Sequence, residues 1–193
     1  MNKLAIVGHS FVARLEDSLQ GSKIRTIFPY GKDLGLDADV KYFGLRGATT
    51  KTYLNSREMV SCELFRPTRV FVQVGGNDIS KNSTVISVCE GIRDIVEHLL
   101  RIDSVNAVII GSIFPRRKPR GVSEDYYYNE ARKINNFLER HYADHSRVYF
   151  WKLRGLQLPK KNIFINDGVH LNDDATATYA RQIRMALKCD SIK

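Results

Sequence analysis

Short apolar runs alternate along this chain with longer stretches in which apolar residues recur every three or four positions. The short runs predict buried strands, because each ends at or near a glycine or another turn-forming residue. They cover residues 3–7, 69–74, 107–110 and 148–151, whereas the strand expected at residues 39–43 alternates between polar and apolar positions. Residues 23–28 fit either a further short strand or an irregular segment.

The longer stretches predict amphipathic helices, since their apolar positions share one helical face. One helix carries Phe11, Leu15 and Leu19, and others cover residues 84–102, 123–142 and 172–187. Because strands and helices alternate, the sequence predicts an α/β fold, a mostly parallel central sheet with crossover helices on both faces. A length of 193 residues, 43% of them hydrophobic, is typical of one globular domain, which we expect to span residues 1–193.

Polar residues and glycines follow several of the predicted strands. Ligands of a parallel sheet bind outside the carboxyl ends of its strands, so these residues are the candidates for chemistry. They lie after three of the strands and before the last helix: Ser10, Gly47, Asn77, Asp167 and His170. Together they offer a hydroxyl, an amide, a carboxylate, an imidazole and backbone N–H groups, which is the set that acyl transfer requires.

These residue types predict a role for each position. Ser10 is the candidate nucleophile, and His170 is the base that a serine hydroxyl needs. Asp167, three residues before His170, is expected to orient the imidazole. The N–H groups of Ser10 and Gly47 and the side-chain amide of Asn77 are the candidate oxyanion hole. Each residue alone is better explained by a helix cap or a turn, whereas the combination indicates a serine hydrolase.

The same residues resemble the four sequence blocks of the SGNH (GDSL-type) hydrolase superfamily. The Ser10 segment is similar to the first block, residues 46–50 (RGATT) to the second, residues 75–78 (GGND) to the third, and Asp167-x-x-His170 to the last. The resemblance implies a flavodoxin-like α/β/α sandwich with three layers. It also implies hydrolysis of a small or short-acyl ester through an acyl-enzyme, with no metal or other cofactor.

The first block departs from the family at one position. His9 stands where the family usually has an aspartate that supports the block structurally. We expect His9 to take the same supporting role. The alternative is that its imidazole perturbs His170 or adds positive charge near the oxyanion.

The charge suggests an anionic partner. Thirty Lys and Arg residues against 21 Asp and Glu give a net charge of +9. Part of the excess lies in residues 160–161 and in a basic loop, defined as Arg116, Arg117, Lys118 and Arg120. The loop is either a solvated surface or a patch for nucleic acid or another polyanion, beside which the tyrosines at 126–128 could stack on bases. A nucleic-acid-binding module on a hydrolase scaffold, with esterase activity secondary or lost, is therefore the second hypothesis.

The remaining features bear on the compartment and on the substrate pocket. No apolar run is long enough to span a membrane, and residues 1–8 lack the features of a signal peptide. Cys62, Cys89 and Cys189 are odd in number and lack metal-ligand spacing, so we expect no disulfide framework and an intracellular location, cytoplasmic or nuclear. Intracellular relatives in the superfamily include phospholipid-type acetylhydrolases and esterase domains of retroelement proteins. Loops at about 46–64 and 115–125 are expected to line the pocket.

Overall fold

A computed structural model describes residues 2–156 and 162–189 of the chain. Residues 160–161 of the predicted basic surface lie outside the described residues. The strands are β1 (Lys3–Gly8), β2 (Asp39–Gly44), β3 (Arg69–Gln73), β4 (Ala107–Gly111) and β5 (Val148–Trp151). The helices are α1 (Ser10–Ser18), α2 (Ser22–Ile27), α3 (Thr50–Leu54), α4 (Arg57–Phe65), α5 (Val85–Leu100), α6 (Glu124–His141) and α7 (Asp173–Lys188).

The five strands form one parallel sheet in the order β2-β1-β3-β4-β5. This is the flavodoxin-like order, in which the chain moves to one side of β1 and then to the other. The change of direction leaves a crevice beyond the carboxyl ends of β1 and β3. Ligands of open α/β sheets bind at such a crevice, and Ser10 and Asn77 follow these two strands.

Alternation along the strands divides the core into two layers. Ala5 and Val7 of β1 belong to the layer that packs under α3, α4, α5 and α6, whereas Leu4 and Ile6 belong to the layer under α1, α2 and α7. Apolar residues on both faces explain why the strands are nearly continuous hydrophobic runs. The α/β class and the three-layer α/β/α arrangement predicted from the sequence are therefore confirmed.

Three helices differ from the sequence prediction. Residues 23–28 lie mostly in α2 rather than in a strand, with Ile24 and Phe28 buried one helical turn apart. The short segment fits both periodicities, and packing against α7 decides between them. Residues expected to form a pocket-lining loop instead form α3 and α4, and Met59 and Cys62 of α4 face the core.

None of the helices in the described ranges is long and apolar enough to cross a lipid bilayer.

Candidate active site

Ser10, His170 and Asp167 form a continuous chain of hydrogen bonds at the carboxyl edge of the sheet. The Oγ atom of Ser10 lies 3.1 Å from Nε2 of His170, and Nδ1 of the same ring lies 2.6 Å from Oδ2 of Asp167. The three residues come from opposite ends of the chain. β1 delivers Ser10 to this edge as the first residue of α1, and the loop before α7 delivers the other two.

A tight loop holds Asp167 and His170 in place. The Oδ1 atom of Asp167 accepts hydrogen bonds from the backbone N–H groups of Val169 and His170, at 2.9 and 2.8 Å. Gly168, which lies between Asp167 and Val169, has a φ of +67°, in the left-handed region that favours glycine. The backbone N–H of Ile165 donates to the carbonyl of His170 and closes the loop. Local bonding of this kind lets Asp167 turn back on its own backbone and still reach the imidazole.

The pKa of Asp167 reflects these contacts. Partial desolvation by itself raises the pKa of the carboxyl group. The hydrogen bonds from the ring and backbone of His170 and from the backbone of Val169 outweigh it and lower the pKa to about 2. Asp167 is therefore ionised at neutral pH and can stabilise a positive charge on the imidazole of His170.

Gly47 and Asn77 line the same cavity as Ser10. Gly47 has a φ of +75°, which presents its backbone in a conformation that other residues rarely adopt. The Asn77 amide is held at both ends, because Nδ2 donates to the carbonyl of Ala48 at 2.9 Å and Oδ1 accepts from Nη2 of Arg116 at 2.8 Å. An amide nitrogen carries two hydrogens, so one N–H of Asn77 remains for a ligand in the cavity.

His9 lies inside the protein beneath the site. Its side chain is buried, its ring packs 5.1 Å from that of Phe11, and Nδ1 has no hydrogen-bond partner among the described residues. Burial, assisted by the charge of Arg116 and by His170, lowers the pKa of His9 well below the usual value. A ring that stays neutral at neutral pH adds no positive charge at the oxyanion. The buried position agrees with the supporting role expected for His9.

The basic loop is not a uniform surface patch. Arg116 is only 7% exposed, and its guanidinium group lies over the rings of Phe11 and Tyr127. Arg117, Lys118 and Arg120 are exposed. The prediction of a four-residue surface patch is therefore wrong for Arg116, which lies inside the site.

The position of Arg116 could have been anticipated in part. β4 is parallel to its neighbours, so its carboxyl end also meets the edge that carries the site, and Arg116 follows it by five residues. The candidates predicted at strand ends follow other strands, and Arg116 was predicted only as part of the basic loop. Nothing in the local pattern distinguishes Arg116 from the exposed cations beside it.

The cavity at the edge has a volume of about 640 Å³. From the loop expected at 46–64, only Arg46 and Gly47 line it, since the rest lies in or beside α3 and α4. A separate cavity of about 280 Å³ between α6 and β5 contains none of the candidate site residues. The part of the chain that the structure describes has no cluster of three or more side chains suited to a metal ion.

The chain matches a known protein family. Residues 6–177 match the model of the GDSL-like lipase/acylhydrolase family. No curated protein sequence matches the chain.

Solved structures share the fold at low sequence identity. A GDSL-like lipase from Bacteroides thetaiotaomicron superimposes with a TM-score of 0.72 at 15% identity, over 97% of this chain and 88% of that one. A lipase/acylhydrolase from Enterococcus faecalis gives 0.69 at 18% identity, over 97% and 96%. A carbohydrate esterase of family 3 from Talaromyces cellulolyticus gives 0.65 at 16% identity, over 97% and 96%. With the family model covering most of its length, the chain belongs to the GDSL-like lipase/acylhydrolase family and is an ester hydrolase of the SGNH type.

Proposed function

We propose that this enzyme hydrolyses a small or short-acyl carboxylic ester with Ser10 as nucleophile, His170 as general base and acid, and Asp167 as the group that orients His170. The observation that carries the proposal is the unbroken chain of hydrogen bonds from Ser10 through His170 to Asp167. A serine hydroxyl bonded to an imidazole, itself bonded to an ionised carboxylate, is the arrangement that activates serine in acyl transfer.

In the first half of the reaction the Ser10 oxygen attacks the ester carbonyl while its proton passes to Nε2 of His170. The carbonyl π electrons move to oxygen, and the N–H groups of Ser10, Gly47 and Asn77 bind the resulting oxyanion. Collapse of the tetrahedral intermediate breaks the bond to the alcohol, which takes the proton from His170 as it leaves. Water then attacks the acyl carbonyl and gives a proton to His170. Collapse of the second tetrahedral intermediate breaks the bond to the Ser10 oxygen, which takes the proton back from His170 as the carboxylic acid leaves.

Two features of the site support the oxyanion assignment. Ser10 is the first residue of α1, where unsatisfied backbone N–H groups and the helix dipole favour negative charge. The amide of Asn77 is fixed by Ala48 and Arg116, so its donor need not reorient when charge develops on the substrate.

The free thiols of Cys62, Cys89 and Cys189 support the further proposal that the enzyme works in a reducing, intracellular compartment.

The experiment is hydrolysis of a p-nitrophenyl ester series, from acetate to octanoate, by the wild type and by Ser10→Ala and Asp167→Asn. We expect Ser10→Ala to fall to background and Asp167→Asn to lose about 10⁴ in kcat. Ser146→Ala, an exposed serine in the turn before β5, is the matched control and keeps wild-type rates.

A fluorophosphonate provides the second readout, because it forms a covalent bond only with an activated serine. The wild type should be labelled once, at Ser10. A folded wild type that neither hydrolyses any ester of the series nor reacts with the fluorophosphonate would contradict the proposal.

A further inference from the structure

The cavity beside Ser10 is lined by cationic side chains. Five of them face it, whereas Asp167 is the carboxylate among the lining residues and is already bonded to His170. The five are Arg14, Arg46, Arg116, Lys118 and Arg120. A cleft lined by one sign of charge concentrates ligands of the opposite sign.

Arg116 is a buried cation that forms no direct ion pair with a carboxylate in the described parts of the chain, although its charge partly offsets the rise that burial causes in the pKa of nearby Asp78. Its guanidinium group donates to Oδ1 of Asn77 and also hydrogen-bonds the hydroxyl of Tyr127, both neutral groups, and its Nε atom has no hydrogen-bond partner within the described ranges. Buried charges in proteins are normally paired, because desolvation is otherwise costly. An anion entering the cavity would supply the missing charge.

Arg14 is a second cation close to the nucleophile, and it forms no ion pair with any residue that the structure describes. It lies four residues after Ser10 in α1, and residues at this spacing share a helix face. Its side chain is half-buried, and its Nε atom is buried without a hydrogen-bond partner in the described parts of the chain. Arg46, by contrast, is paired with Asp17 on the outside of the cavity.

The basic loop is attached directly to the loop that carries Asp167 and His170. The backbone N–H groups of Arg117 and Lys118 both donate to the carbonyl of Gly168, at 2.8 and 3.1 Å. The Nζ atom of Lys118 donates to the carbonyl of Asn166. Lys118 and Arg120 line the same cavity as His170.

We propose that the ester hydrolysed at this site carries an anionic group, a carboxylate or a phosphate, that binds against Arg14 and Arg116. Lys118 and Arg120 attract it at the entrance. Guanidinium groups suit this role because they bind planar or tetrahedral oxyanions through paired N–H donors. The inference rests on the proposed esterase function and names the class of its substrate.

The shape of the site favours a small anionic molecule over nucleic acid. A cavity of about 640 Å³ is within the range of small-molecule sites. Of the tyrosines expected to stack on bases, Tyr127 is buried and the hydroxyl of Tyr126 donates to the carbonyl of Ser80. Nucleic-acid platforms need exposed aromatic faces beside the charge, and only Tyr128 of the three is exposed.

The test compares acetate esters of similar shape and different charge. The probes are 4-acetoxybenzoate, 4-acetoxyphenyl phosphate and the neutral 4-acetoxybenzamide, with release of the phenol as the readout. We expect kcat/KM to be about tenfold or more higher for an anionic ester than for the amide at low salt. The preference should shrink as salt is raised, because ions screen the attraction. The two anionic probes distinguish a carboxylate site from a phosphate site.

Variants identify the cations responsible. Arg14→Gln and Arg120→Gln should each lower the ratio of anionic to neutral kcat/KM severalfold, and this ratio corrects for any general loss of active enzyme. Arg117→Gln is the matched control, since Arg117 belongs to the same loop but does not line the cavity. It should keep the wild-type ratio.

The outcomes separate the inference from the function on which it rests. Equal kcat/KM for charged and neutral esters would overturn the inference and leave the esterase standing. Rates no higher than those of Ser10→Ala with all three probes would overturn both. Competitive inhibition by a single-stranded oligonucleotide, together with no preference for the small anions, would replace the inference with a nucleic-acid site.

Discussion

His9 is expected to make the stability of this enzyme depend on pH in a narrow range. The native ring is buried and has a pKa well below its usual value, whereas an unfolded chain titrates histidine near pH 6.5. Below that pH the unfolded chain therefore binds a proton that the native protein does not. As far as His9 is concerned, the free energy of unfolding is therefore highest above pH 6.5 and decreases as the pH falls toward the native pKa of His9.

The size of the effect follows from proton linkage. Each pH unit over which only the unfolded state is protonated lowers the free energy of unfolding by about 1.4 kcal/mol. Between pH 7 and pH 5 His9 then costs up to about 2 kcal/mol, as long as the native ring stays neutral. Asp167 does not contribute to the change in stability between pH 7 and pH 5. Its native pKa of about 2 is depressed, so its contribution is present above roughly pH 4 and is lost only at lower pH.

Urea unfolding at pH 7, 6 and 5 measures this dependence for the wild type and for His9→Gln. The wild type should lose up to about 2 kcal/mol more than the variant over this range, whatever the difference between them at pH 7. His141→Gln, which removes an exposed histidine of α6, should keep the wild-type slope. Equal slopes for the wild type and His9→Gln would refute the argument, because they would mean that the native ring accepts a proton as readily as the unfolded chain.

Two further substitutions test individual contacts. Arg116→Met removes the donor that holds Oδ1 of Asn77, so we expect kcat for p-nitrophenyl acetate to fall about tenfold or more with little change in KM. Arg116→Lys should recover part of the lost kcat. A rise in KM alone would contradict the role of Arg116 in positioning Asn77. Gly44→Ala would bring a Cβ atom within 2.3 Å of the backbone nitrogen of Ala13, so urea unfolding should show a loss of about 1–3 kcal/mol or more. Gly31→Ala, where a Cβ meets nothing within 4 Å, is the control, and an equal loss in both would show that close packing of α1 on β2 is not the cause.

Local sequence patterns were sufficient to predict most of the architecture. The central strands β1, β3 and β4 are buried on both faces, so they appear in the sequence as apolar runs that local patterns reveal. The edge strands β2 and β5 are only partly buried. The longer helices α5, α6 and α7 carry one apolar face each and begin at capping residues, which also leave a local signal. Segment 23–28 was ambiguous because six residues are too few to separate the two periodicities.

The residues of the candidate triad could be named from the sequence for a similar reason. Parallel strands bring their carboxyl ends to one edge, so residues as far apart as Ser10 and His170 could be expected to lie near each other. That Ser10 and His170 lie within hydrogen-bonding distance depends on the strand order and on the loop around Gly168.

What the sequence determined by itself is the alternation of strands and helices and the chemistry available at the strand ends. Only the tertiary structure decided which cations of the basic loop lie inside the site. Arg116 and Arg117 are adjacent and chemically alike, yet one is buried against Asn77 and the other is exposed. The difference arises because burial is determined by residues distant in sequence that pack around a side chain, and local periodicity carries no information about them.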